Sequence, residues 1–185
     1  MSRIDESRAF QPVRIAVITV SDTRTLAEDK SGDTLVERLT EAGHVLAARA
    51  IEKDDRGAIV SHLRRWIADP AVDVILTTGG TGLTGRDVTV EAHREVYEKE
   101  IEAFGTVFTL ISMQKIGTSA VQSRACGGVA GGTYLFALPG SPGACRACVR
   151  HSLRADKARD RLQDEVLMSA YAEPGCAPRR THAKG

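Results

Sequence analysis

The chain has 185 residues, 42% hydrophobic and 26% charged, with a formal net charge of +1. That length suits one domain with a sizeable core, and so even a balance argues against a nucleic-acid or membrane-surface protein. No apolar run approaches the roughly 20 residues of a membrane helix, the polar N-terminus lacks a signal-peptide core, and four cysteines make no disulfide scaffold, so a reducing cytoplasm is the expected home.

Residues 1–12 read as a flexible arm ending at Pro12. Residues 13–20 are β-branched and almost continuously apolar, the pattern of a strand buried on both faces. Ser21-Asp22-Thr23 follows at its carboxyl end. Leu35, Val36, Leu39 and Ala42 form a helical stripe that Gly43 stops. Residues 44–51 read as a second strand. Asp54-Asp55 precede a second helix with Ile59, Leu63, Trp66 and Ile67 on its apolar face, and Trp66 is expected in the core. Residues 72–78 form the third strand. Three alternations of strand and helix argue for an α/β fold with parallel pairing and right-handed crossovers. Ligands in such sheets sit beyond the carboxyl ends of the strands.

Beyond the third strand lies Thr77-Thr78-Gly79-Gly80-Thr81-Gly82-Leu83-Thr84-Gly85-Arg86-Asp87. Its glycines permit positive φ and close approach by a ligand. N–H groups leading into a helix N-terminus suit an anion. A helix is expected from Thr89 as N-cap, its period carried on by Phe104, Val107, Phe108 and Ile111, with Gly105 tolerated. Residues 120–130 and 133–138 read as two strands around Gly131-Gly132, a tight-turn signal. Pro139-Gly140-Ser141-Pro142-Gly143 follows a strand and opens a helix, a second candidate anion site. From Arg146 the chain is basic, with nine Lys/Arg against five Asp/Glu, and from Glu173 it is rich in Pro and Gly.

Gly80-x-Gly82-x-x-Gly85 matches the dinucleotide fingerprint only formally, because the next strand and its acidic residue come too late. No Gly-Lys-Ser/Thr follows, which excludes a Walker loop. Asp87 reads either as a Mg²⁺ ligand at a phosphate site or as a turn or capping carboxylate. Asp54 reads as ligand or N-cap, and Asp22 as site residue or Asx-turn. Cys145-x-x-Cys148 with His151 and Cys176 is a weak zinc pattern, since only one ligand pair has suitable spacing.

The segment from Thr77 through Gly85-Arg86-Asp87-Val88-Thr89-Val90-Glu91-Ala92 resembles the signature of the MoaB/MogA molybdopterin-binding family. Thr19-Val20-Ser21-Asp22, Gln122-Ser123-Arg124 and Leu138-Pro139-Gly140-Ser141-Pro142-Gly143 agree in order. Glu102-Ala103-Phe104-Gly105 and Ile116-Gly117-Thr118-Ser119 look closer to the MoaB branch. The resemblance runs from about Arg14 to Cys145 and implies a three-layer α/β/α domain over residues 13–150, with a mostly parallel sheet and assembly as trimers or hexamers. It implies molybdenum cofactor biosynthesis, with molybdopterin and ATP as partners and adenylylation of molybdopterin by Mg-ATP; a non-catalytic molybdopterin carrier is the alternative.

By position in that resemblance, Asp54 and Asp87 match acidic residues important for activity and are candidate Mg²⁺ ligands. Thr78, Gly79, Gly80, Thr81 and Gly82 match the phosphate-binding segment. Arg86 and Arg124 are candidate charge clamps. Ser21 and Asp22 match the first-strand site motif, and Ser123, Pro139, Gly140 and Ser141 match loops lining the pocket. The chain departs from many active members in carrying Gly85 and Val90 where those have proline. Residues 151–185 form a basic tail unlike the family's ending, as a shifted reading frame or a divergent terminus would produce.

Overall fold

The strand Arg14–Val20 (β1) lies second in a sheet of six; the computed structural model describes residues 11–145. The other strands are Val45–Glu52 (β2), Val74–Thr78 (β3), Lys99–Glu100 (β4), Cys126–Ala130 (β5) and Thr133–Leu138 (β6). Their order is β2-β1-β3-β6-β5-β4. β2, β1, β3 and β6 run parallel, and β5 and β4 add antiparallel pairs at one edge. The order reverses direction between β1 and β3. Loops leaving the carboxyl ends of those two strands therefore diverge to opposite sides and open a crevice.

Four helices, Lys30–Glu41 (α1), Arg56–Ala68 (α2), Thr89–Val96 (α3) and Glu102–Ile116 (α4), cover both faces. The period-2 alternation of β1 sorts the core. Ile15 and Val17 face Leu35 and Leu39 of α1 and Phe104 and Phe108 of α4. Ala16, Ile18 and Val20 face Ile59, Leu63 and Trp66 of α2 and Ala92 of α3. The result is the expected three-layer α/β/α arrangement, with Trp66 in the core.

Local chemistry sets the helix ends. Asp29 caps α1 by accepting from Gly32 N at 3.0 Å, and Gly43, at φ 84°, takes the left-handed position after it. Asp55, not Asp54, caps α2, its Oδ1 accepting from Ala58 N at 2.7 Å. Gly131 and Gly132 both have positive φ, as the two-residue turn between β5 and β6 requires.

Three expectations need correction. Thr89 is the first residue of α3, not its cap; Val88 occupies the cap position without a side-chain bond. The helical period does not run through from Thr89 to Ile111. The chain breaks after Tyr97, where Glu98 N donates to Val129 O and Ile101 N to Gly127 O, building β4 onto β5. Gly128 makes room for the break, since a Cβ there would lie 2.5 Å from the Tyr97 ring. Finally, residues 117–122 form a 3-10 turn, so the strand expected from residue 120 starts only at Cys126. The basic tail, and with it Cys148, His151 and Cys176, lies outside the described residues.

Candidate functional site

A cavity of about 600 Å³ opens at the crevice between β1 and β3. Its floor is the glycine loop, which reaches the cavity because β3 is short and fully buried up to Thr78. Gly79 and Gly80 have φ of 102° and 61°. A Cβ on Gly79 would overlap the Val20 carbonyl oxygen, and one on Gly80 would overlap Thr89 Oγ1. Only glycine permits both the dihedrals and the approach.

The loop amides have divided duties. Gly79 N donates to Leu138 O at 3.0 Å, tying the loop to β6. Gly82 N serves the Asp87 carboxylate. That leaves the amides of Gly80 and Thr81, both in the cavity wall. α3 does not follow directly, as a phosphate loop feeding a helix would have it. Residues 82–88 intervene, and Thr89 N turns back to Gly80 O at 3.0 Å. The cradle is the loop itself, without a helix dipole aimed through it.

Two carboxylates stand along this floor. Asp54, freed from capping by Asp55, lies against Gly80, where a Cβ would meet its Oδ1 at 3.0 Å. Burial, and then the negative charge of Asp87, push the Asp54 carboxyl above the ordinary carboxylate range. Asp87 goes the other way. Its Oδ2 accepts from Thr84 Oγ1 at 2.6 Å and Thr84 N at 2.9 Å, which holds its carboxyl low against the opposing effect of burial. Asp87 thus closes a turn and also presents charge to Asp54. Of the two sequence readings, the turn carboxylate is the one these hydrogen bonds form.

The remaining expected residues separate into wall and support. Ser21, Thr81, Ser123, Pro139, Gly140 and Ser141 join the two aspartates and Gly79, Gly80 and Gly82 in the wall. Thr78, Asp22, Arg86 and Arg124 do not line it. Thr78 is fully buried beneath the loop, donating to Pro139 O at 3.1 Å and touching Cys145 Sγ. Asp22 accepts from Asp54 N at 3.3 Å and pairs with Arg86, linking three loops. Arg124 pairs with Glu91 and donates to the carbonyls of Gly82 at 2.8 Å and Asp87 at 2.9 Å. Its charge braces the turn from behind, so the clamp expected of Arg124 becomes a strut for the loop.

Several wall residues escaped the sequence reading. Phe108, Ser112, Lys115 and Ile116 of α4, with Ser119 and Gln122 of the 3-10 turn, form one side. On α4 the periodic signal was a helix apolar on most of its circumference, which a period count assigns wholly to the core. Ile116, Ser119 and Gln122 fell within segments that carry the family resemblance but were not singled out there. Arg24 also lines the cavity, and an isolated arginine in a polar loop carries no signal at all. Two buried hydroxyls, Thr89 Oγ1 beneath Gly80 and Ser123 Oγ in the wall, lack a hydrogen-bond partner, as groups awaiting a ligand or water do.

These features define an α/β protein with a glycine-floored polar cavity at the switch point of its sheet. Residues 16–159 match the family described as "Probable molybdopterin binding domain". The chain belongs to the MoaB/MogA family of molybdenum cofactor biosynthesis proteins, nearest its MoaB branch. It is 48% identical over 140 residues to molybdenum cofactor biosynthesis protein B of Escherichia coli K12, covering 76% of this chain and 82% of that one. The corresponding protein of Bacillus cereus is 46% identical over 142 residues, covering 76% and 84%. A crystal structure of a molybdenum cofactor biosynthesis protein B superposes with a TM-score of 0.76 at 40% identity, over 90% of this chain and all of that one. The tungsten cofactor synthesizing protein MoaB of Pyrococcus furiosus gives 0.72 at 31% identity, over 89% and 99%.

Proposed function

We propose that the chain binds molybdopterin in this cavity, in the cytoplasm, and transfers AMP to its terminal phosphate from Mg-ATP. An oxygen of that phosphate would attack the α-phosphorus of ATP as the bond to the β-phosphate bridge breaks, and pyrophosphate would leave. Such a reaction asks for placement and charge neutralisation, not a protein nucleophile.

The observation that carries the reading is the pairing of Asp54 and Asp87 across Gly80 and Gly82. Two carboxylates beside a phosphate cradle repel each other and the ligand unless a cation stands between. Mg²⁺ suits one or two carboxylates plus phosphate oxygens, and no group of three or more His, Cys, Asp or Glu suited to an all-protein metal cage occurs among the described residues. When bound, Mg²⁺ would neutralise phosphate charge there. Asp54 and Asp87 would hold it, the Gly80 and Thr81 amides would orient phosphate oxygens, and the Asp22–Arg86 pair would keep the loops in register.

Incubation with molybdopterin and Mg-ATP tests this by pyrophosphate release. Activity is expected to fall at least about a hundredfold in Asp87→Ala, and full activity in that variant would sink the metal role. One observation favours a second reading, a non-catalytic molybdopterin carrier: Asp87 is already engaged by Thr84 as a turn carboxylate. Tight pterin binding without pyrophosphate release would select it.

The same reading has the chain assembling as a trimer or hexamer. Leu110, Met113 and Ile116 of α4 and Val121 of the 3-10 turn are between 42% and 72% exposed. A cluster of that kind suits coverage by another copy.

A further inference from the structure

The cavity is electrically lopsided along its floor. Gly80 and Gly82 lie beside Asp54 and Asp87, whereas Gly79 lies beside Gly140, where a Cβ would sit 3.1 Å from the Gly79 Cα. At this second end stands Arg24. Its Nη1 donates to Ser31 Oγ at 3.0 Å and its Nη2 to Gly140 O at 3.3 Å, while the buried Asp29 carboxylate lies 3.8 Å from Nη1. Ser31 in turn donates to Gly140 O at 2.9 Å. These contacts fix the guanidinium in the cavity wall and use only two of the five N–H groups an arginine carries.

Two hydroxyls stand in the same wall. Ser21 Oγ accepts from the Thr23 and Arg24 amides, each at 3.3 Å, and Ser141 Oγ accepts from Ala144 N at 3.1 Å. Each hydroxyl is engaged as an acceptor, and neither donates its proton to another described residue. Ser31, by contrast, is used in both directions. The Gly79–Gly140 end therefore offers a cation and two hydroxyl donors, and the Gly80–Gly82 end offers carboxylates.

We infer that Arg24, with Ser21 and Ser141, is a metal-independent subsite for the phosphate monoester of the substrate, and that it distinguishes that phosphate from the metal-borne nucleotide phosphates at the aspartate end. This rests on the proposed function for the identity of the substrate. Charge-assisted, multidentate bonding from arginine is the chemistry that recognises a phosphate dianion without a metal. Held there, an oxygen of the monoester lies one residue along the loop from the place where Asp54 and Asp87 hold the nucleotide.

The test is calorimetric titration of the full chain with molybdopterin, with inorganic phosphate and with Mg-ATP, the first two in the presence of a chelator. Arg24→Gln should weaken molybdopterin and phosphate by about tenfold to a hundredfold and change Mg-ATP affinity less than about twofold. Arg24→Lys should restore part of the loss. Asp54→Asn should show the reverse pattern. A strut that only holds the loop 139–141 would instead lower thermal stability and weaken all three ligands alike, and that result overturns the inference. Unchanged phosphate binding in Arg24→Gln overturns it as well. If the wild type binds phosphate through Arg24 but no molybdopterin, the functional reading fails and the phosphate subsite stands.

Discussion

Asp54 and Asp87 show how one neighbour decides the behaviour of another. The Asp54 carboxyl is raised by burial and by the charge of Asp87, so its native form keeps a proton at pH values where an unfolded one has lost it. It contributes stability below the ordinary carboxylate range, and that contribution disappears as pH rises through the native value. Replacing Asp87 with Asn should lower the Asp54 value toward the ordinary range, read from carboxyl carbon shifts in an NMR titration. Asp29 has the opposite sign. Burial would raise it, but Thr19, Gly32 and Arg49 more than offset that and hold it low. Its stabilisation is present above the ordinary carboxylate range and lost as pH falls through the lowered native value. Asp29→Asn, which leaves Arg49 and Arg24 short of a buried partner, should cost about 3 kcal/mol, measurable by urea unfolding at neutral pH.

At the scale of elements, α4 is both core cover and cavity wall, and Gly105 sets how close it lies to β5. A Cβ there would meet the Ala125 carbonyl oxygen at 2.7 Å, and a backbone oxygen cannot turn aside as a side chain can. Gly105→Ala should push the helix off the sheet, costing about 1–3 kcal/mol in denaturant midpoint and weakening ligands that touch Phe108 and Ser112. The sequence had Gly105 as a tolerated interruption because the contact that gives it meaning comes from Ala125, the residue before β5, twenty residues on. The same limit applies elsewhere. β1, β3 and the glycine loop were legible because their signals are local: β-branched runs, and glycines where φ must be positive. Of two adjacent aspartates, propensity cannot say which caps α2 and which faces the cavity; the Ala58 amide chose Asp55. The break after Tyr97 depends on the space left by Gly128, and the brace from Arg124 on carbonyls about forty residues away. Neither leaves a mark in nearby spacing.

Across the whole molecule, a polar chain threads the core between the sheet and α3. His93 Nε2 meets Thr77 Oγ1 at 2.8 Å, its Nδ1 meets Tyr97 OH at 3.1 Å, and Tyr97 OH meets Cys126 Sγ at 3.4 Å. Burial pushes His93 down to about 3, so the native ring stays neutral where the unfolded one takes a proton below about 6.5. Stability should therefore fall as pH drops from about 6.5 toward 3, and His93→Gln should flatten that dependence in urea-unfolding profiles at stepped pH. Thr77 belongs to β3 itself, one residue before Thr78 and two before the loop, so this chain anchors the cavity floor from below. The bond from Gly79 N to Leu138 O then acquires a kinetic meaning. That amide is part of the sheet's own lattice, and its deuterium uptake should follow global opening whether or not the cavity is filled. Gly80 and Thr81 sit one and two residues further on, outside that lattice, and should exchange quickly until a bound phosphate takes their protons. A sharp boundary in exchange rates between neighbouring amides would then mark the empty cavity; it would fade when the ligand binds and return when the ligand is washed out.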